Sequence, residues 1–387
     1  MLVLCSGMLT WSGAMNRLRM GVIGVGGIAQ MMHLPHMADD ERYEIVALAD
    51  INAPALEAVG ARYGITTLYT SAAELLARPD IQAVGVFHGG SHAGTVLAAL
   101  AAGKDVFVEK PLAWNVREAE TIAAAVRATD RIVQVGYHKL YDPAFAITRQ
   151  ELARIPDLAY GRIAVLHPDD SLGWSTHRVL RGNGVVVEGH REPVAQLTQL
   201  ARGAREGLAE GSVAALVDEA LGARKADSRL RLAYGLMTAS LIHQVYMLFG
   251  LLGAPERVLH TDVWREGLSM HTLIAYPNDV RVALDWQYLS HLKDYREEYA
   301  FFGNHERVAL DFPSPYLRNF PSPITIQGHD GELTWEKRIT VSYDEAFRRE
   351  LAAFYEHVQA RQQPEHGSVE DAVAHHRLIQ AMIDAAE

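Results

Sequence analysis

The chain carries one cysteine, Cys5, in 387 residues. A disulfide framework within it is excluded, and the composition fits a reducing, cytoplasmic setting. It also lacks a basic excess. The formal net charge of −11 argues against a nucleic-acid partner, because phosphate binding needs a basic face. The sequence shows no apolar run long enough to read as a membrane span, no internal repeat and no low-complexity segment. Histidine is plentiful, at 18 residues. Yet the closest pairs, His33/His36 and His375-His376, have no cysteine or carboxylate cluster at zinc spacing beside them, so no metal is expected. Residues 1–14 are apolar without a basic start. They are expected to be poorly ordered, with Met8 or Met15 as the natural beginning. The remaining composition, 49% hydrophobic and 21% charged, is that of an ordinary globular chain with two domains or one large one.

Against that plain background one feature stands out. Residues 18–29 read Leu-Arg-Met-Gly-Val-Ile-Gly-Val-Gly-Gly-Ile-Ala, and the next apolar run, Ile45-Val-Ala-Leu-Ala, closes on Asp50. Gly24 lets the chain turn tightly out of a strand. Gly26 has no Cβ, so a pyrophosphate can approach the backbone, while Ala29 is small enough for helix and strand to pack. Gly27 and Ile28 open the helix whose unpaired N–H groups and dipole face the phosphates. Asp50 can accept hydrogen bonds from both ribose hydroxyls. Its charge would repel the extra phosphate of NADP, so NAD is the expected cofactor and NADP the lesser alternative, with Arg62 downstream as the residue that bears on the choice. The plainer reading of these glycines is a strand–turn–helix in which they serve packing alone.

Strand and helix signals alternate up to about residue 136. Apolar runs at 19–24, 44–49, 83–87, 105–109 and 131–135 read as strands, with helical stretches at 27–38, 53–62, 71–77, 92–102 and 115–128 between them. Alternation of this kind predicts a doubly wound parallel sheet. The pattern then changes. A helix at 144–153 and a strand near 161–167 lead into a largely helical stretch, 192–252. Strands return over 256–341, with Asn278-Asp279 and Asp330-Gly331 as hairpin turns. Two helices close the chain, near 344–362 and 368–386, the second with Ser368 as N-cap and Asp371 in a capping-box position. The fold class that follows is α/β plus α+β. A Rossmann dinucleotide-binding domain occupies 15–143, and an open, mostly antiparallel sheet with helices serves substrate binding and oligomerisation over 144–387, with a helical insertion at about 192–228.

Three further stretches converge with the glycine turn. Gly103-Lys-Asp-Val-Phe-Val-Glu109-Lys110-Pro111 ends one expected strand and Val135-Gly-Tyr-His138-Lys-Leu-Tyr-Asp-Pro143 the next. His243 lies in a helix ending near Gly250 and followed by Pro255-Glu-Arg-Val-Leu. Together these resemble the Gfo/Idh/MocA oxidoreductase family, strongly over 18–143 and 343–387 and poorly over 165–235. The resemblance implies a dinucleotide domain, an open sheet, and a substrate between them. It implies chemistry at a secondary carbinol of a sugar, cyclitol or related compound. Lys110 leaves the C-terminal end of a parallel strand, where such sheets bind ligands, and can hydrogen-bond the reacting oxygen. Otherwise it is a surface lysine snorkelling off a strand end. The resemblance assigns His243 the role of accepting the carbinol proton, against the plainer reading of a core histidine. Glu109, His88 and His92 fall on the cofactor side. His88 is either a contact to the nicotinamide ribose or substrate, or a polar loop residue.

The chain departs from the family at two places. Ala239 stands where an aspartate is expected four residues before the histidine, and Tyr246 where an acidic residue is common three after it. Tyr246 can donate a hydrogen bond instead. Acids in the poorly matching segment, Asp169, Asp170 or Glu188, can stand in for the missing carboxylate as acceptors. Phe87-His88-Gly89 replaces the usual Thr-Pro-Asn. The stretch 167–191 offers Trp174, His177, Arg178 and His190 as a sugar pocket, or as a solvated loop leading to a subunit contact. His138 joins Trp174, His177 and Tyr246 as a candidate substrate contact. The expected activity is NAD-dependent hydride transfer at a secondary ring hydroxyl of a sugar, glycoside or cyclitol. The alternatives are glycoside cleavage by redox and elimination with NAD retained, or a non-catalytic NAD-bound regulator, which Ala239 favours. The resemblance also leads to an expected homodimer or homotetramer, with no nucleic acid and no membrane as partner.

Overall fold

The computed structural model describes residues 16–168, 171–182, 186–187 and 212–387. Its first sheet is built from β1 (Leu18–Ile23), β2 (Tyr43–Ala49), β3 (Leu68–Tyr69), β4 (Ala83–Val86), β5 (Asp105–Glu109) and β6 (Val133–Gly136). All six are parallel, in the order β3-β2-β1-β4-β5-β6. Helices cover both faces, which is why Met20, Val22, Val84, Val86, Val106 and Phe107 are wholly buried and the strands read as unbroken apolar runs. Strand order reverses between β1 and β4, and ligands of such sheets bind in the crevice beyond the strand ends there. The two-residue β3 is too short to leave a periodic signal in the sequence.

The helix expected at 27–38 is a composite. Ala29–His33 forms a π-turn that runs into Leu34–Asp39, with the Leu34 N–H bonded to the Ala29 carbonyl. Pro35 has no N–H to donate, and the wider turn stands just before it.

The second sheet contains β7 (Tyr160–His167), then β10 (Arg257–Trp264), β11 (Ser269–Ala275), β12 (Arg281–Tyr288), β13 (Arg296–Phe302), β14 (Arg307–Phe312), β15 (Ile324–Asp330) and β16 (Leu333–Ile339). A small pair, β8 (Val179–Leu180) and β9 (Val186–Val187), stands apart. The order is β10-β11-β12-β7-β13-β14-β15-β16, antiparallel except for the β7–β12 pair. Consecutive strands need only short turns. Asn278 and Asp279 both take positive φ, at 61° and 60°, and Gly331 takes 59°, as tight hairpins require. Gly161, Ile163 and Val165 of β7 face the core, while Arg162 faces out and pairs with Glu298 of β13.

The helical run Ser228–Leu252 packs behind this sheet. By length and composition it could cross a membrane, which the sequence reading did not register. Of its most apolar 18-residue window 67% is buried, with His243 on the partly exposed side of the run. Asp227 caps its start through the N–H groups of Arg229 and Leu230. A π-turn interrupts it at Met237–Leu241. The last helix, Val369–Asp384, carries the full Ser368/Asp371 capping box and packs against Val116–Arg127 and Ile242–Leu252. Helix Ala346–Ala360 returns to the first sheet, where Leu351 and Phe354 join Leu18, Met20 and Val22 in one apolar cluster. Residues 1–14, Asp169, Asp170, Glu188, His190 and the expected helical positions 192–211 lie outside the described residues.

Candidate active site

Gly24 ends β1 at φ +95°, and a Cβ there would strike the backbone of His88. Only glycine fits that turn. At Gly26 no atom stands within 4 Å of where a Cβ would be, and the residue is exposed. The backbone is therefore open to a phosphate. Asp50, at the end of β2, accepts the Val25 N–H through Oδ2 and the Asn52 N–H through Oδ1, both at 2.8 Å. These bonds lock the carboxylate against the turn and leave further lone pairs for ribose hydroxyls. The residues present fit a dinucleotide. Ile28 is half-buried beside Trp174, whose ring would sit 2.7 Å from a Cβ on Gly27.

The loop after β4 is held from within. His92 is buried and both its ring nitrogens meet carbonyls, of Pro111 at 2.7 Å and His88 at 2.8 Å. His88 meets the Gly89 carbonyl and the Thr95 hydroxyl.

Glu109 is buried at the end of β5. His33 bonds its Oε1 at 2.6 Å, and the Lys110 N–H donates to its Oε2 at 2.9 Å. Burial alone would raise this carboxyl. The His33 bond and the charges of His33, Lys110 and His92 outweigh burial and hold it below the usual range. His33 stacks on Phe87, with centroids 4.1 Å apart. The sequence gave no sign of this pairing across 76 positions.

Lys110 then leaves the strand, and its Nζ donates to the Ala239 carbonyl at 3.0 Å. That carbonyl belongs to the π-turn, so Ala239, where the resemblance implies a carboxylate, offers a backbone oxygen. One turn later, His243 Nδ1 lies 2.8 Å from the Tyr246 hydroxyl. His138 meets the His243 ring edge-on at 5.2 Å and stacks on Phe347 at 4.2 Å. Burial foremost, and then the charges of Lys139 and Lys110 for His138 or Lys110 and Lys139 for His243, hold both histidines well below the ordinary value. Lys110, His138, His243 and Tyr246 are thus brought together.

The structure packs Trp174 on the glycine turn with Met31, Met32 and Phe347, and bonds His177 to the Tyr316 carbonyl at 2.6 Å. Arg62, noted for cofactor choice, donates to the Arg178 carbonyl at 2.9 Å. Among the described residues no group of three or more potential metal ligands occurs. Sequence reasoning missed a buried hub at Glu297, which accepts from Lys139, Tyr295, Tyr299 and Gln244. These donors are scattered along the chain, and no local pattern marks them.

Residues 18–137 match the model of an oxidoreductase family with an NAD-binding Rossmann fold. An inositol 2-dehydrogenase of Gluconacetobacter diazotrophicus is 42% identical over 135 residues, covering 33% of this chain and 39% of that relative. Another, from Agrobacterium fabrum, is 38% identical over 139 residues, 34% of this chain and 40% of the relative. The matched stretch therefore spans about two fifths of these curated relatives. A 3-ketoreductase from Actinomadura kijaniata, crystallised with NADP and TDP-benzene, superposes with a TM-score of 0.72 at 18% identity. It covers 96% of this chain and 98% of that one. That likeness shows a shared fold along nearly the whole length.

Proposed function

We propose that this chain, whose residues 18–137 match the model of the Gfo/Idh/MocA oxidoreductase family, is a nicotinamide-dependent oxidoreductase acting at a secondary ring hydroxyl, or the matching ketone, of a sugar, glycoside or cyclitol. One observation carries the reading. Lys110, leaving the cofactor sheet, bonds the Ala239 carbonyl at 3.0 Å, one helical turn from His243. Two groups able to hold a reacting oxygen come from different parts of the chain to one place beside the glycine turn. The bound nicotinamide supplies or accepts the hydride. Lys110 and His243 bind the oxygen and stabilise the charge that develops on it, and His138 and Phe347 wall the site. The inositol dehydrogenases in the comparison support the substrate class.

NAD is the proposed cofactor. The Asp50 carboxylate would lie against a 2′-phosphate, and Ile51 beside it is 94% exposed and offers no cation. A second reading, cleavage with the cofactor retained, draws on residues 171–182. Leu180 and Gln30 exchange hydrogen bonds at 2.9 and 2.7 Å, and Trp174 covers Gly27. This segment straps the cofactor turn from outside.

Nicotinamide absorbance, followed while sugars, cyclitols and glycosides are added, tests both. Growth of the reduced-cofactor band supports oxidation. Product without band growth supports retention. Tight NAD binding with neither outcome sinks both readings in favour of a non-catalytic regulator.

A further inference from the structure

Tyr246 is fully buried, and its oxygen has two polar neighbours: the backbone N–H of Lys139 and His243 Nδ1. The amide can only donate. Burial first, then the Glu297 charge, raises the Tyr246 hydroxyl well above the ordinary tyrosine value, so the phenol keeps its single proton. Glu297 is already engaged by Lys139, Gln244, Tyr295 and Tyr299. Leaving a buried O–H without an acceptor costs about 1–3 kcal/mol. The arrangement that satisfies every group has Tyr246 donating to His243 Nδ1. In a neutral imidazole the proton must then sit on Nε2.

We infer that Tyr246 is a positioning residue that holds His243 as its Nε2–H tautomer, so that His243 meets a substrate oxygen as a neutral hydrogen-bond donor and not as a base. The substrate part of this rests on the oxidoreductase reading above; the tautomer does not. A carboxylate at position 246 would act in the opposite sense, accepting from Nδ1–H and leaving a basic lone pair on Nε2. Here burial foremost, and then the groups facing the ring, keep it neutral: Lys110 from the end of β5, Lys139 and His138 from the turn after β6, and His167 from β7.

The proton of the carbinol then has another destination. In oxidation the Lys110 ammonium first passes a proton to solvent water; the carbinol O–H bond then breaks and an N–H bond re-forms on Lys110 Nζ. In reduction the Lys110 ammonium returns that proton to the alkoxide. His243 donates to the oxygen throughout and changes no bond. Two donors on one oxygen stabilise its negative charge in either direction.

The test is a two-bond proton–nitrogen correlation spectrum of the full chain with NAD, labelled at the histidine nitrogens, near neutral pH. The His243 signals, assigned by their loss in His243→Gln, should show the Nε2–H pattern, and Tyr246→Phe should erase that bias. An Nδ1–H pattern in the unmodified chain overturns the inference, whether or not the variant folds. Activity gives an independent readout. Tyr246→Phe should lower kcat about 10-fold with NAD affinity unchanged. Tyr246→Asp should add a histidine inflection to the pH profile that the unmodified chain lacks. An inflection already present, and removed by His243→Gln, also overturns it. If no compound on the panel turns over, the function fails while the spectrum still decides the tautomer.

Discussion

Lys110 is the residue on which the chemistry turns. Replacing it with alanine removes the donor to the reacting oxygen and leaves the glycine turn and Asp50 untouched. The expected result is a fall in kcat of about 100-fold or more, with the NAD dissociation constant changed little, as steady-state kinetics and cofactor titration would show. Glu297 tests structure instead. Its carboxylate is held ionised within a ring of four donors, Lys139 foremost. Glu297→Gln leaves a buried ammonium without its counter-charge, so denaturant unfolding should show a loss of about 3–5 kcal/mol. A loss well under 1 kcal/mol would mean that Lys139 finds another partner or sheds its proton.

At the scale of elements, the β1 turn and the helical run 228–252 divide the work. The turn brings backbone N–H groups to an open concavity. Gly24→Ala meets two obstacles, a positive φ of 95° and the His88 backbone. It should abolish NAD binding and lower stability by roughly 1–3 kcal/mol, read by cofactor titration and thermal melting together. Gly26→Ala has open space and an ordinary φ, so the fold should survive while NAD affinity falls. The second helical run delivers His243 and, through its π-turn, the Ala239 carbonyl. The glycine turn was legible because its spacing is local and chemically narrow. The π-turn was not, since helix periodicity from Arg229 to Gly250 reads the same with or without one widened turn.

The whole molecule has a pH signature. His375 and His376 are buried in the last helix, pushed down to about 3 and about 4, burial being the foremost cause. Once unfolded, each binds a proton near the ordinary histidine value, which the native state refuses. Stability should therefore be complete above about pH 6.5 and fall as pH drops toward 4. Melting temperature measured across that window should decline, and His376→Phe should flatten the decline. A flat profile in the unmodified chain would show that these histidines reach water.

By itself the sequence determined the parallel sheet, the glycine turn with Asp50, the hairpins at Asn278 and Gly331, and the cap at Ser368. Each rests on residues a few positions apart, whose backbone demands are met locally. Lys110 and His243 were nameable because strand ends and a family resemblance marked them. Only the tertiary structure decided what surrounds them. It paired His33 with Glu109, set the Ala239 carbonyl under Lys110, gathered four donors on Glu297, and put Trp174 on Gly27. These contacts join residues far apart in the chain, and burial, which no short stretch encodes, sets their protonation. The same is true of Tyr246. Its place three residues after His243 could be read directly, but the direction of its hydrogen bond follows from Lys139 and Glu297 packing around it.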